Sequence, residues 1–172
     1  MKKLLLLSAL FLLALPATAQ AAAQIQDPDD VAGALDIKRA SGEEVHPPGE
    51  AFLVFTLETY EPFDCDDLAG SWFGFVGDFP TTPDGLHSER FRVRCDHAGD
   101  YYWTIRYRYV DGSIKHRMPS PDAIERPSST TVKILLDEDW QSGDEVPTRW
   151  KVISESVERD VAPDHGWADF EV

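Results

Sequence analysis

The chain has 172 residues, with 16 basic and 31 acidic side chains, a formal net charge of −15, two cysteines and no asparagine. Such a charge argues against nonspecific binding to nucleic acid or anionic lipid and favours a soluble monomer; without asparagine there is no N-glycosylation acceptor. The length suits one domain around a single core.

Lys2 and Lys3 lead into an apolar run of 12 residues from Leu4 to Leu15, then Pro16 and the small residues Ala17-Thr18-Ala19 or Ala21-Ala22-Ala23. This order reads as a secretory signal over 1–23, cleaved between Ala19 and Ala23. The run is shorter than the roughly 20 residues that cross a bilayer. No cysteine follows it and no twin-arginine pair precedes it. The expectation is an exported protein, extracellular or periplasmic, without a membrane anchor, whose residues 24–172 form one domain.

Gln24 to Asp30 reads as a polar arm. Short β-branched and aromatic runs between turn residues then predict strands at 35–39, 51–60, 72–76, 90–95, 101–110, 113–118, 131–136 and 149–155. Residues 43–50, with Pro47, Pro48 and Gly49, and residues 119–129 read as loops. About eight strands and no long helix predict an all-β, jelly-roll-like antiparallel β-sandwich. Cys65 and Cys95 predict one disulfide, since the chain is read as exported and has no C-x-x-C. Closing a loop of about 30 residues contributes roughly 3–4 kcal/mol in the chain-entropy model.

Two turns allow strand registers to be counted. Asp111-Gly112 predicts a two-residue type I′ hairpin, which pairs Tyr109 with Ile114, Tyr107 with His116 and Ile105 with Met118. The other face then pairs Arg108 with Lys115 and Arg106 with Arg117. The turn Asp96 to Asp100 sets Val93 against Trp103 and Phe91 against Ile105, with Arg94 by Tyr102, Arg92 by Thr104 and Arg90 by Arg106. Both turns sort apolar residues to one side and cations to the other.

Arg90, Arg92, Arg94, Arg106, Arg108, Lys115 and Arg117 therefore form an expected cationic face that includes Tyr102. Only Asp96, Asp100 and Asp111 oppose them within residues 90–118. Like charges directly opposite on a sheet repel, and guanidinium forks suit carboxylate, phosphate or sulfate. An anionic ligand answers that repulsion; carboxylates from an adjoining strand or arm are the alternative.

Asp27, Asp29 and Asp30 open the domain, while Asp160, Asp164 and Asp169 close it. Termini of a sandwich often lie together, so Asp27, Asp29, Asp30, Asp160 and Asp164 are candidate ligands of a structural calcium ion, which takes six to eight oxygens. Asp64, Asp66 and Asp67 are a lesser candidate, and Asp137, Glu138 and Asp139 read as a solvated turn. No G-x-S-x-G, H-E-x-x-H or phosphate-cradling loop occurs, so no catalytic residue is assigned. His46, His87, His97, His116 and His165 are scattered, with His116 expected in the core. Trp72, Phe75, Trp103, Tyr107, Tyr109 and Trp150 are also expected there, leaving Trp140 and Trp167 as the better candidates for exposed contact.

The segments DPDDVAGALDIK (27–38), LVFTLETYEPF (53–63) and ERDVAPDHGW (158–167) resemble a group of exported bacterial single-domain β-sandwich proteins. Some of these are similar to carbohydrate-binding modules. The resemblance implies a non-catalytic fold with calcium. Many relatives carry a D-x-D-G-D-like loop after the third strand, whereas GDFPTTPDGLHSER here offers only Asp78 and Asp84. The functional expectation is a secreted binding module for an extracellular, acidic glycan. The alternatives are a carboxylate-dependent glycoside hydrolase, or an envelope protein with a structural or protein-partner role.

Overall fold

Phe91 and Val93 alternate with Arg90, Arg92 and Arg94 along one strand; Trp103, Ile105 and Tyr107 alternate with Tyr102, Thr104, Arg106 and Arg108 along the next. A period of two puts all the apolar members on one side of the pleat, and the fold is built around that side. The computed structural model describes residues 23–45, 52–78, 85–117, 124–137, 149–156 and 158–169. These contain β1 (Ala23–Gln26), β2 (Ile37–Val45), β3 (Phe52–Thr59), β4 (Trp72–Asp78), β5 (Leu86–Cys95) and β6 (Tyr101–Tyr109). They continue with β7 (Ile114–Arg117), β8 (Ile124–Ser128), β9 (Thr131–Asp137), β10 (Arg149–Glu155), β11 (Arg159–Ala162) and β12 (Ala168–Asp169).

All strand pairs are antiparallel and form two sheets. The smaller runs β1-β2-β3-β9-β8, and the larger runs β11-β10-β4-β5-β6-β7, with β12 also pairing β10. The apolar faces meet at Phe55 of β3, whose ring lies 4.6 Å from Phe75, 5.8 Å from Phe91 and 6.1 Å from Trp150. One side chain from the smaller sheet thus packs on three strands of the larger. Each such aromatic pair contributes ~0.5–1.5 kcal/mol beyond its buried area. Cys65 and Cys95 are bonded, with Cα atoms 5.4 Å apart. The fold is an all-β sandwich, as its alternation predicts, and carries the disulfide expected from its single cysteine pair.

The expected strand set is incomplete. β1, β8, β11 and β12 lie outside it, β2 runs on to Val45 inside a predicted loop, and β5 starts at Leu86. β8 falls in residues read as a loop because Pro127 interrupts it; β8 lies at the sheet edge, where a missing N–H is tolerated. β1 is four residues long and carries a single buried side chain, Ile25.

The β5–β6 register matches the count from Asp96–Asp100 at every predicted pair. The β6–β7 register does not. Arg108 pairs with Ile114, Tyr107 with Lys115, Arg106 with His116 and Ile105 with Arg117. A two-residue I′ turn needs Asp111 in the left-handed region, yet among the described residues only glycines have positive φ. The Gly112 amide donates to Tyr109 O at 3.0 Å, Gly112 itself has φ 83°, and the Tyr109 amide donates to Ser113 O. This is a type I turn closed by a glycine bulge. It adds one residue and turns every β7 side chain to the opposite face. Met118 lies outside the described residues.

Candidate functional site

The side of the larger sheet that faces away from the core is built by parity. Trp72, Gly74 and Val76 of β4 share it with Lys151, Ile153 and Glu155 of β10 and with Arg159 and Val161 of β11. Across β4 it continues to Arg90 and Arg92, which pair with Arg106 and Thr104, while Arg94 pairs with Tyr102 and Ser88 with Arg108. The five arginines and Tyr102 of the predicted face are together.

At its centre the Arg92 guanidinium lies 4.4 Å from the Trp72 ring centroid and that of Arg90 lies 5.7 Å away. The indole Nε1–H donates to Glu155 Oε2 at 2.8 Å. Trp72, Val76 and Ile153 are buried beneath, with Trp167 and Val161 packed on them. Trp167 is therefore half-buried, with the Lys151 ammonium 4.3 Å above its ring. A guanidinium over indole contributes ~0.5–1 kcal/mol at an exposed site and more as it is desolvated. Burial, then the neighbouring Arg106, holds Arg90 below the usual arginine range, against Glu155. Arg92 is lowered by burial, then by Arg90, Arg94 and Arg106, and its buried Nε has no acceptor.

Beyond this stack Ser88, Arg90, Arg106, Arg108, Gly112 and Ile114 line a depression of 320 Å³. Among the described residues none of the five arginines forms an ion pair. Two further cations join the face. Lys151 is pushed down by burial, then by Arg159 and Arg90, and Arg159 sits opposite Glu155.

The slipped hairpin register corrects two expected members. Lys115 pairs with Tyr107 and places its Nζ 4.8 Å from the Tyr109 ring, so it leaves the arginine face. Arg117 stands opposite Ile105 in register instead of Arg106. His116, expected in the core, is exposed and opposite Arg106. Trp72 is buried as expected, but on the outer face and not between the sheets. Lys151, Arg159 and the Trp72–Glu155 pair were not anticipated, because their positions depend on how β4, β10 and β11 pair over long sequence separations.

A second constellation lies where the two sheets approach each other. Asp160 of β11 accepts the Ile37 amide of β2 on Oδ2 at 2.8 Å, a bond that joins the sheets. Asp27 follows β1, held by its amide to Lys38 O and by the Tyr60 hydroxyl, which donates to its carbonyl at 2.6 Å. One oxygen from each of Asp27, Asp30 and Asp160 lies within 4.8 Å of the other two. Asp27 is 5% exposed and Asp160 3%, whereas Asp30 is exposed. Asp29 and Asp164 lie close enough to act on these carboxyls but outside the triad.

Asp36, which sequence reasoning missed, is 2% exposed and has no partner at either carboxyl oxygen; Asp27 Oδ2 is likewise buried and unpartnered. Burial, then Asp160 and Asp164, pushes Asp27 up to about 7. Burial, then Asp160, pushes Asp36 up to about 7. Asp160 is also raised, chiefly by burial, against the amides of Ile37 and Val161. The cue for Asp36 was a lone carboxylate between two apolar residues, Leu35 and Ile37.

Other candidates have local roles. Asp67 accepts the Asp64 amide and Asp64 accepts the Asp66 amide, so these carboxylates cap a turn beside the disulfide. Asp78 pairs with Arg149 and lies 3.9 Å from His87. His46, Asp84, Glu138, Asp139 and Trp140 lie outside the described residues. Among those residues no helix is long and apolar enough to cross a membrane, and the disulfide suits a non-reducing compartment. Compared with family models, curated proteins and solved structures, the chain matches none.

Proposed function

We propose that the protein is an exported, non-catalytic binding module whose arginine face takes an acidic extracellular glycan. The observation that carries this reading is the depression in which Arg90, Arg106 and Arg108 converge with no carboxylate among the described residues that line it. Arg90 and Arg106 stand directly opposite each other, an arrangement that costs stability unless an anion or water answers it. Guanidinium forks bind carboxylate and sulfate in two-point contacts that also fix orientation. The indole that would otherwise offer a stacking platform, Trp72, is 4% exposed beneath Arg92. The face therefore favours a charged saccharide over a neutral one, with Tyr102 as its half-buried aromatic edge.

Immobilised uronate-containing, sulfated and neutral polysaccharides test this reading. Wild-type protein should retain on the acidic ones, and Arg106→Glu with Arg108→Glu should weaken retention at least 10-fold while the circular dichroism spectrum is unchanged. Retention that survives the double change, preference for neutral glycans, or release of reducing ends from the bound polymer would overturn it.

A further inference from the structure

We propose that Asp27, Asp30 and Asp160 bind one calcium ion, and that the ion joins the N-terminal edge of the smaller sheet to β11 of the larger. The proposal is independent of the glycan reading and concerns the opposite side of β10 and β11. The three oxygens lie within 4.8 Å of one another, a separation that one ion with ligands at ~2.4 Å spans. Two of the three side chains are buried, so they do not form an ordinary solvated acidic patch.

The second observation is an orphaned oxygen on one of these side chains. Asp27, a buried member of the triad, has an unpartnered buried oxygen, Oδ2, and both oxygens of neighbouring Asp36 are unpartnered as well. Buried carboxylates are ordinarily hydrogen-bonded, paired with a cation or bound to metal. Among the described residues no lysine or arginine hydrogen-bonds or ion-pairs with Asp27, Asp36 or Asp160. A divalent cation at the triad would answer Asp27 and Asp160 directly and offset the negative charge around neighbouring Asp36. Among the described residues the donor set is oxygen only, without histidine or cysteine, which selects a hard ion. Calcium tolerates an irregular shell that water completes on the exposed Asp30 side, whereas magnesium demands a near-octahedral one. Asp27 also lines a 250 Å³ surface depression with Gln26, Lys38, Arg39, Glu58 and Tyr60.

The experiment titrates chelator-treated full-length mature protein with calcium chloride by calorimetry and follows thermal unfolding in parallel. One ion should bind per chain, and at 100-fold excess over Kd the Tm should rise by ~5–10 °C. Magnesium at the same concentration should give less than half that rise. Asp30→Asn, at the exposed ligand, should weaken calcium binding at least 10-fold, while Asp66→Asn, at an acidic turn elsewhere, should not. No binding heat and no Tm change at 10 mM calcium (a concentration roughly tenfold above the weak end of extracellular calcium modules) would overturn the proposal. A rise that magnesium or matched sodium chloride reproduces, or that Asp30→Asn leaves intact, would overturn it too.

Discussion

Gly74 shows how closely single residues are constrained on the arginine face. It pairs with Arg92 on one side and Ile153 on the other, and a Cβ built on it would stand 1.7 Å from the Phe91 carbonyl oxygen. That oxygen is backbone and cannot swing aside, so any side chain must push β4 and β5 apart. Overpacking of this kind costs ~1–3 kcal/mol or more. Gly74→Ala should therefore lower stability by about 3 kcal/mol in urea unfolding and loosen the stack of Arg92 on Trp72. A variant of wild-type stability would show that the strands separate freely here. Trp72 depends on the same spacing, since its indole is held between Arg92 above and Glu155 beside it.

At the scale of elements, the disulfide and the carboxylate seam make separate predictions. Cys65 and Cys95 tie the turn before β4 to the end of β5 across 30 residues. Replacing both with serine should cost roughly 3 kcal/mol and lower Tm by ~6–12 °C, as read by calorimetry under non-reducing conditions. The seam predicts a pH dependence. Asp27 and Asp36 are raised from 3.8 to about 7 in the folded protein, so on acidification they take up protons before the unfolded chain does. Their contribution is complete below the unfolded value and is lost as pH rises through the folded one. In chelator, the urea midpoint should fall between pH 4 and pH 7 and then level off, each group adding a slope of up to ~1.4 kcal/mol per pH unit in that window. Asp36→Asn should flatten the fall, and an unchanged profile would rule out burial of the charge as its cause. Elements also explain what the sequence could disclose. The β5–β6 pairing was legible because alternation is strict on both strands. The β6–β7 pairing was not, because Asp-Gly serves both a two-residue turn and a type I turn with a bulge, and the choice rests on φ at Asp111. The acidic termini could be expected to meet. Asp36 was signalled only by standing alone between Leu35 and Ile37, which are themselves buried, while alternation by itself sets it on the opposite face.

For the whole molecule, the arginine face is a local exception on a chain of net charge −15. Which field an approaching polyanion feels depends on distance. At 0.01 M salt the Debye length is ~30 Å, longer than the ~15 Å radius of gyration of a domain this size, so the ligand meets the net negative charge first. At 0.15 M it is ~8 Å, and only the nearest guanidinium groups are felt. Raising salt across this range should therefore speed association with an acidic polysaccharide, because repulsion by the rest of the molecule is screened before contact. Dissociation should speed up as well, because the fork contacts themselves weaken. A uniformly basic binder loses association rate steadily over the same range. Stopped-flow or surface-plasmon measurements at four salt concentrations distinguish the two patterns. If the association rate only falls with salt, the ligand is being steered by a larger positive surface, and recognition confined to Arg90, Arg106 and Arg108 is excluded.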